Sequence, residues 1–204
     1  MSLHSFLGVW CTTFSLAFIW PQVWRTVRHD TTHGISAFSV VHGLAGSAIW
    51  LAYGITADRP AIWFSNASFI VAQSIIISVL LRHQRMPVSL LFKFAVILAT
   101  VLAIFLPVSS AVIGWIATFT SASSLVPQVV HVVRTDNLHG ISIVSWLMTV
   151  FSAASWMIYG WVLDDPIMSV INYINIPMMF VIITKSWQWR TRNDVPIFAR
   201  AGTA

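Results

Sequence analysis

The sequence of 204 residues contains no glutamate. Its six acids are all aspartate: Asp30, Asp58, Asp136, Asp164, Asp165 and Asp194. Charged residues make up 8% of the chain, against ~25% in ordinary soluble domains. So few charges cannot keep a folded surface wet, which excludes a soluble enzyme and a disordered tail. The single cysteine, Cys11, excludes an intrachain disulfide and leaves the redox compartment unread. No thiol accompanies His29 and His33, whose i, i+4 spacing falls in a loop, so no metal site is expected. What the chain does contain is apolar: 57% hydrophobic, with 11 Trp and 13 Phe. That composition describes an integral membrane protein. The net charge of +5 has no soluble basic domain to house it, so nucleic acid is not an expected partner.

A helical span needs ~20 predominantly apolar residues. Seven such segments are expected, at 5–27, 35–56, 60–81, 88–106, 111–133, 141–163 and 166–186. None alternates apolar and polar residues as a barrel strand would, so the fold class is an all-α membrane protein. The first segment follows Met1–His4 without a Lys, an Arg or a small-residue cleavage site, and reads as a retained span.

The scarce bases set the orientation. Arg25, Arg28, Arg82, Arg85, Arg134, Lys185, Arg190, Arg192 and Arg200 lie on one side of the seven spans. Lys93, one turn inside the fourth span, can snorkel to that side. Only Arg59 lies on the other. By the positive-inside rule the N-terminus faces out and the C-terminus is cytosolic.

Shifted by 106 residues, the chain meets itself. Pro21-Gln22-Val23 falls on Pro127-Gln128-Val129, Asp30 on Asp136, and His33-Gly34-Ile35-Ser36 on His139-Gly140-Ile141-Ser142. Trp50, Tyr53-Gly54, Asp58, Pro60 and Asn66 fall on Trp156, Tyr159-Gly160, Asp164, Pro166 and Asn172. Residues 21–66 give 18 identities in 46 ungapped positions, which marks a duplication. The unit is three helices, and a second triplet joined directly would be inverted against the charge rule. The unpaired span at 88–106 removes that conflict. The expected organisation is a first triple-helix repeat at 5–82, a linker helix at 88–106, a second repeat at 111–188 and a cytosolic tail at 189–204. The two bundles are then parallel, a 3+1+3 arrangement.

Trp20-Pro21-Gln22 and Val126-Pro127-Gln128, each followed by a basic loop and Gly-Ile-Ser, resemble the PQ-loop/MtN3 superfamily. Trp50-x-x-Tyr53-Gly54, Pro60 and Asn66 resemble its SWEET and SemiSWEET sugar transporters. The His-Gly-Ile-Ser loops are also similar to those of PQ-loop amino-acid exporters. The resemblance covers residues 5–187 and implies a transporter rather than an enzyme.

Each proline interrupts its helix late, ~24 Å along for Pro21. Paired kinks at one depth suit an inner gate, and the resemblance implies that Pro21 and Pro127 act as hinges. Gln22 and Gln128 either cap the freed carbonyls or bond across an interface. Trp50 and Asn66 each lie about six residues from the outer ends of their spans, ~9 Å deep, and Trp156 and Asn172 repeat them. Aromatic faces and amides suit a neutral polyol, and the resemblance implies that these four bind the sugar. The alternatives are an interfacial tryptophan belt and interhelical amide bonds. Asn175 follows Asn172 on a similar face. Ser121, Ser123, Ser124 and Gln73 either line the path or bond to helix backbones. His42 is the intramembrane ionisable group and a candidate proton site. The duplicated His33 and His139 read as parts of loop turns.

With no carboxylate inside a span, the leading expectation is a facilitator working by alternating access. Its solute is a sugar or similar small neutral molecule, and it needs no cofactor and no catalytic residues. Its other partner is the lipid bilayer, most simply the plasma (inner) membrane. One chain suffices for a pore, which leaves room for a homo-oligomer. The alternatives are a proton-coupled transporter of amino acids or other small metabolites using His42, and a receptor that binds without moving its ligand.

Overall fold

The computed structural model describes residues 2–32, 35–135, 137–139 and 141–196. Seven helices occupy them: α1 (Leu3–Arg28), α2 (Ala37–Thr56), α3 (Pro60–Arg82), α4 (Val88–Phe105), α5 (Ser110–Arg134), α6 (Ile143–Val162) and α7 (Pro166–Arg192). All seven are long and apolar enough to cross a membrane. Their order reproduces the expected 3+1+3 series. His33, Gly34, Asp136, Gly140 and Arg200, used above in the repeat and the charge pattern, lie outside the described residues, as does the tail beyond 196.

Helix starts follow from the duplicated residues. Ser36 and Ser142 stand just before α2 and α6 and accept a hydrogen bond from the backbone N–H of Ser39 and Ser145. A serine N-cap satisfies one of the otherwise orphaned first-turn donors. These helices therefore begin two residues later than the apolar runs do. Pro60 and Pro166 open α3 and α7, where a missing N–H costs nothing.

The turns before them are built alike. Asp58 and Asp164 take left-handed backbone angles, φ 52° and 51°. Arg59 N–H then reaches the Gly54 carbonyl at 2.7 Å, and Asp165 N–H reaches Gly160 at 2.9 Å. The glycines allow this tight return. A Cβ on Gly54 would stand 2.6 Å from the Trp63 backbone nitrogen, and one on Gly160 would stand 2.9 Å from the Met168 Cβ. Helices in lipid gain little from apolar burial and associate by close packing and hydrogen bonds. These glycines supply the close packing in each repeat.

The chain divides into two compact units, Met1–Ser121 and Ala122–Ala204. The division falls inside α5, whereas the sequence repeats divide at the linker. The first unit packs Val41, Ala72, Ile76, Leu80 and Met86 into a core. α4 joins it through Leu90, Leu91 and Phe94, with Phe94 edge-on to Phe38 at 5.6 Å. No residue of α4 is itself buried. The second unit centres on Val132, Leu138, Ile141 and Ile182. There Arg190, 1% exposed, donates to the carbonyls of Ile141 at 3.0 Å and Pro196 at 2.6 Å. A base expected only to mark the cytosolic side is thus a structural clamp. It also accounts for α7 continuing to Arg192, past the apolar span expected to close at 186.

Candidate functional site

In the first unit, Trp50 lies late on α2 and Asn66 early on α3. Trp50 is half-buried, stands edge-on to Tyr53 one turn on at 5.7 Å, and donates its indole N–H to the Ser121 hydroxyl at 2.7 Å. Asn66 donates one amide hydrogen to the Ile62 carbonyl at 2.9 Å, one turn back on its own helix. The second unit repeats the pattern. Trp156 is half-buried and edge-on to Tyr159 at 5.9 Å. Asn172, 6% exposed, donates to the Met168 carbonyl at 3.0 Å. The same local geometry therefore arises twice from the same Trp, Tyr, Gly and Asn spacing.

The back-bond to the helix holds each amide in one orientation. A primary amide has two donors and one acceptor oxygen, so this back-bond uses one N–H and leaves the second N–H and the oxygen outside it. A held amide can bond a hydroxyl, an aromatic ring can cover a C–H face, and neither carries a charge. Asn175, one turn past Asn172, has a buried carbonyl oxygen without a hydrogen-bond partner. Of the serines noted in the sequence, Ser121 receives the Trp50 indole, while Ser123 and Ser124 are exposed. His42 is half-buried and stacks on Phe38 with ring centres 5.9 Å apart.

Pro21 and Pro127 sit inside continuous helices, so each removes one backbone hydrogen bond without ending its helix. Pro21 faces an apolar groove of about 890 Å³ lined by Ala17, Trp20, Val23, Trp24, Val27 and Ile75. Ala17 is the residue whose carbonyl the proline leaves unpaired. Gln22 and Gln128 are half-buried beside the two prolines. A third interior proline, Pro177 in α7, escaped sequence reasoning. Its missing N–H was the available signal, but its repeat counterpart is Val71 and the duplication did not point to it.

Charge gathers where α1 and α3 end. Asp30 pairs with Arg82 and with His83, the latter at 2.9 Å. The His83 hydrogen bond, then the Arg82 and His83 charges, hold the Asp30 carboxyl below its ordinary 3.8. A lowered carboxylate stabilises the fold fully above its unfolded value and ceases to do so as pH falls through the lowered one. Asp30→Asn should therefore cause a small drop in thermal midpoint at neutral pH. The gap should close when both proteins are melted well below pH 3.8. Both side chains are more than half exposed, which keeps the effect small. Among the described residues no group of three His, Cys, Asp or Glu could hold a metal ion. His29 caps α1 and His139 meets the Trp189 ring edge-on at 6.3 Å.

Comparison with known proteins matches residues 109–187 to the family described as "Sugar efflux transporter for intercellular exchange". Residues 3–63 match the "PQ loop repeat". The chain is 31% identical over 85 residues to the sugar transporter SemiSWEET of Escherichia coli (strain UMEA 3162-1), a match covering 41% of this chain and 92% of that protein. Among solved structures, the fold matches a eukaryotic SWEET transporter with a TM-score of 0.74 and 18% identity. That match covers 93% of this chain and all of the other.

Proposed function

The chain belongs to the PQ-loop/MtN3 superfamily, with the SWEET and SemiSWEET transporters, and on that premise we propose that it carries a sugar across a membrane as a facilitator. The observation that carries this reading is the duplicated Trp–Asn set: Trp50 with Asn66, and Trp156 with Asn172, each amide oriented by its own helix. We assign sugar binding to these four residues. The two triple-helix repeats, 5–82 and 111–188, are the moving parts, and the helix at 88–106 is their linker. Pro21 and Pro127, with Gln22 and Gln128 beside them, serve as hinges for alternating access. The N-terminus faces out, and the basic ends of the helices face the cytosol across the plasma (inner) membrane. One chain suffices for a pore, with or without assembly into a homo-oligomer, and no enzymatic role is assigned.

No aspartate among the described residues lies within the apolar stretch of a span, which favours uncoupled movement down a gradient over proton-driven transport. The test is uptake by proteoliposomes of D-glucose, D-fructose, sucrose, alanine and choline, with and without an imposed pH gradient. Sugar flux that ignores the pH gradient is the expected result. Amino-acid flux that follows the gradient and is lost in His42→Gln would replace this reading with proton-coupled export. Saturable sugar binding without flux would make the protein a receptor.

The hinges have their own expected result. Pro21→Ala restores a backbone hydrogen bond to the Ala17 carbonyl and stiffens α1. Uptake should slow about five-fold or more, while sugar affinity measured by tryptophan fluorescence stays within about two-fold, because the change acts on motion and not on the site. Equal loss of affinity and rate would refute the hinge role.

A further inference from the structure

One buried polar group in the first unit is only partly used by the packing. Gln73, 8% exposed, lies seven residues after Asn66, two turns along the same face of α3. Its amide nitrogen donates to the Ser47 hydroxyl at 3.3 Å. Its carbonyl oxygen is buried and has no hydrogen-bond partner. Ser47 is itself one turn from Trp50 on α2, so Gln73 and Ser47 continue the faces that carry Trp50 and Asn66, toward the Arg82 end of α3.

The space for this amide is provided for. Gly43, one turn before Ser47, lies against it, and a Cβ there would stand 2.8 Å from the Gln73 carbonyl oxygen and 3.4 Å from its amide nitrogen. The second repeat has no such arrangement. At the 106-residue offset, Gly43, Ser47 and Gln73 become Thr149, Ala153 and Met179, and Met179 is buried at 5% exposure. The fold is therefore built at this position with an apolar side chain in one copy and an amide in the other. Interhelical bonding alone does not explain the amide, because half of its hydrogen-bonding capacity is buried and unused, an arrangement native structures seldom keep.

We propose that Gln73, seated on Ser47, is a second sugar contact two turns beyond Asn66, where its carbonyl oxygen accepts a hydrogen bond from a substrate hydroxyl during transport. A hydroxyl donor is what the oxygen lacks, and a polyol supplies several. The contact comes from the first repeat only, so it gives the sugar a preferred end. It acts on specificity and rests on the sugar-transporter reading above.

The experiment compares full-length wild type and Gln73→Met, the residue the second repeat itself uses, in proteoliposomes. The substrates are the best-transported sugar of the panel and its monodeoxy analogues. Wild type should transport one analogue with a KM at least about five-fold above the parent sugar, since a site that bonds a hydroxyl discriminates against its absence. Gln73→Met should raise the parent KM to that of the analogue and erase the difference, with an unchanged or higher thermal midpoint. A purely structural amide would lower the midpoint and leave the analogue ratio intact, and an unchanged ratio overturns the proposal. Ser47→Ala, a smaller change that frees the amide, gives the same readout if Gln73→Met expresses poorly. Wild type that moves no sugar overturns the transporter reading and this contact with it. Active wild type with an unchanged analogue ratio overturns the contact alone.

Discussion

Replacing Trp156 or Asn172 with alanine should lower sugar uptake into proteoliposomes by at least ~10-fold. An amide that loses its place in a buried polar contact forfeits ~1–3 kcal/mol, or about 5- to 150-fold in affinity. Asn172 spends one N–H on the Met168 carbonyl, so the remaining N–H and oxygen are the groups at stake. Asn172→Asp, which keeps the size but replaces donors with a charge, should be as damaging as alanine. Trp156→Ala removes the ring face. The control is Trp161→Ala on the same helix, which exposes half of its surface and bonds to Tyr173 at 2.8 Å. Loss confined to Trp156 separates a binding tryptophan from one that sits at the membrane boundary. Uptake within two-fold of wild type in both Trp156→Ala and Asn172→Ala would remove these residues from the site.

The largest effect on folding should come from Gly54→Ala. Two energies oppose each other at every glycine in a helix. Alanine gains up to ~1 kcal/mol in helix propensity, while overpacking costs ~1–3 kcal/mol. At Gly46 the new methyl would find only a Thr120 methyl at 3.9 Å, so propensity wins and the variant should be neutral or more stable. At Gly43 it would press on the movable end of Gln73, and the two energies should nearly cancel. At Gly54 it would meet the Trp63 backbone nitrogen at 2.6 Å and its Cα at 3.0 Å. Backbone cannot rotate away, so α3 must shift. Thermal unfolding in detergent should rank the three as Gly46→Ala above Gly43→Ala above Gly54→Ala, with Gly54→Ala lower than wild type by ~4–8 °C. A Gly54→Ala midpoint equal to wild type would mean that α2 and α3 are not held by this contact.

Parts of the molecule are readable from the sequence and parts are not. Hydropathy places all seven helices because lipid demands long apolar runs whatever their neighbours. The ends are less readable, because serine caps and clamps decide them. Ile35 and Ile141 are apolar, yet each helix starts after the Ser36 or Ser142 cap. α7 outlasts its apolar stretch where Arg190 is anchored. The repeat was legible as identities, and the structure supplies their cause. Gly54 and Gly160 are identical because two helices nearly touch there, and Asp58 and Asp164 because both turn left-handed.

The candidate site divides differently. Residue type, depth and the family resemblance put forward Trp50, Asn66, Trp156 and Asn172 without any coordinates, and the uptake assays decide their role. Their hydrogen bonds are not legible. The partner of the Trp50 indole is 71 residues away, and no local pattern announces it. Gln73 was readable only as one of several polar residues in spans, since its unused oxygen depends on what surrounds it. Arg190 reads in the sequence only as one of the bases marking the cytosolic side, for the same reason.

α4 leads to a different kind of statement. Its 18 residues include none that is buried, so apart from Leu90, Leu91 and Phe94, which pack on the core of the first unit, its side chains can be exchanged for other apolar ones with little effect on the rest of the molecule. Away from those three, its composition matters while its spelling does not. Over generations it is the helix free to drift, and across related chains it should be the stretch where identity fades first while length persists. For the experimenter its outward positions, such as Phe92 and Ile97, are the place for a fluorophore or a crosslinker, a window onto the surrounding lipid cut into the linker.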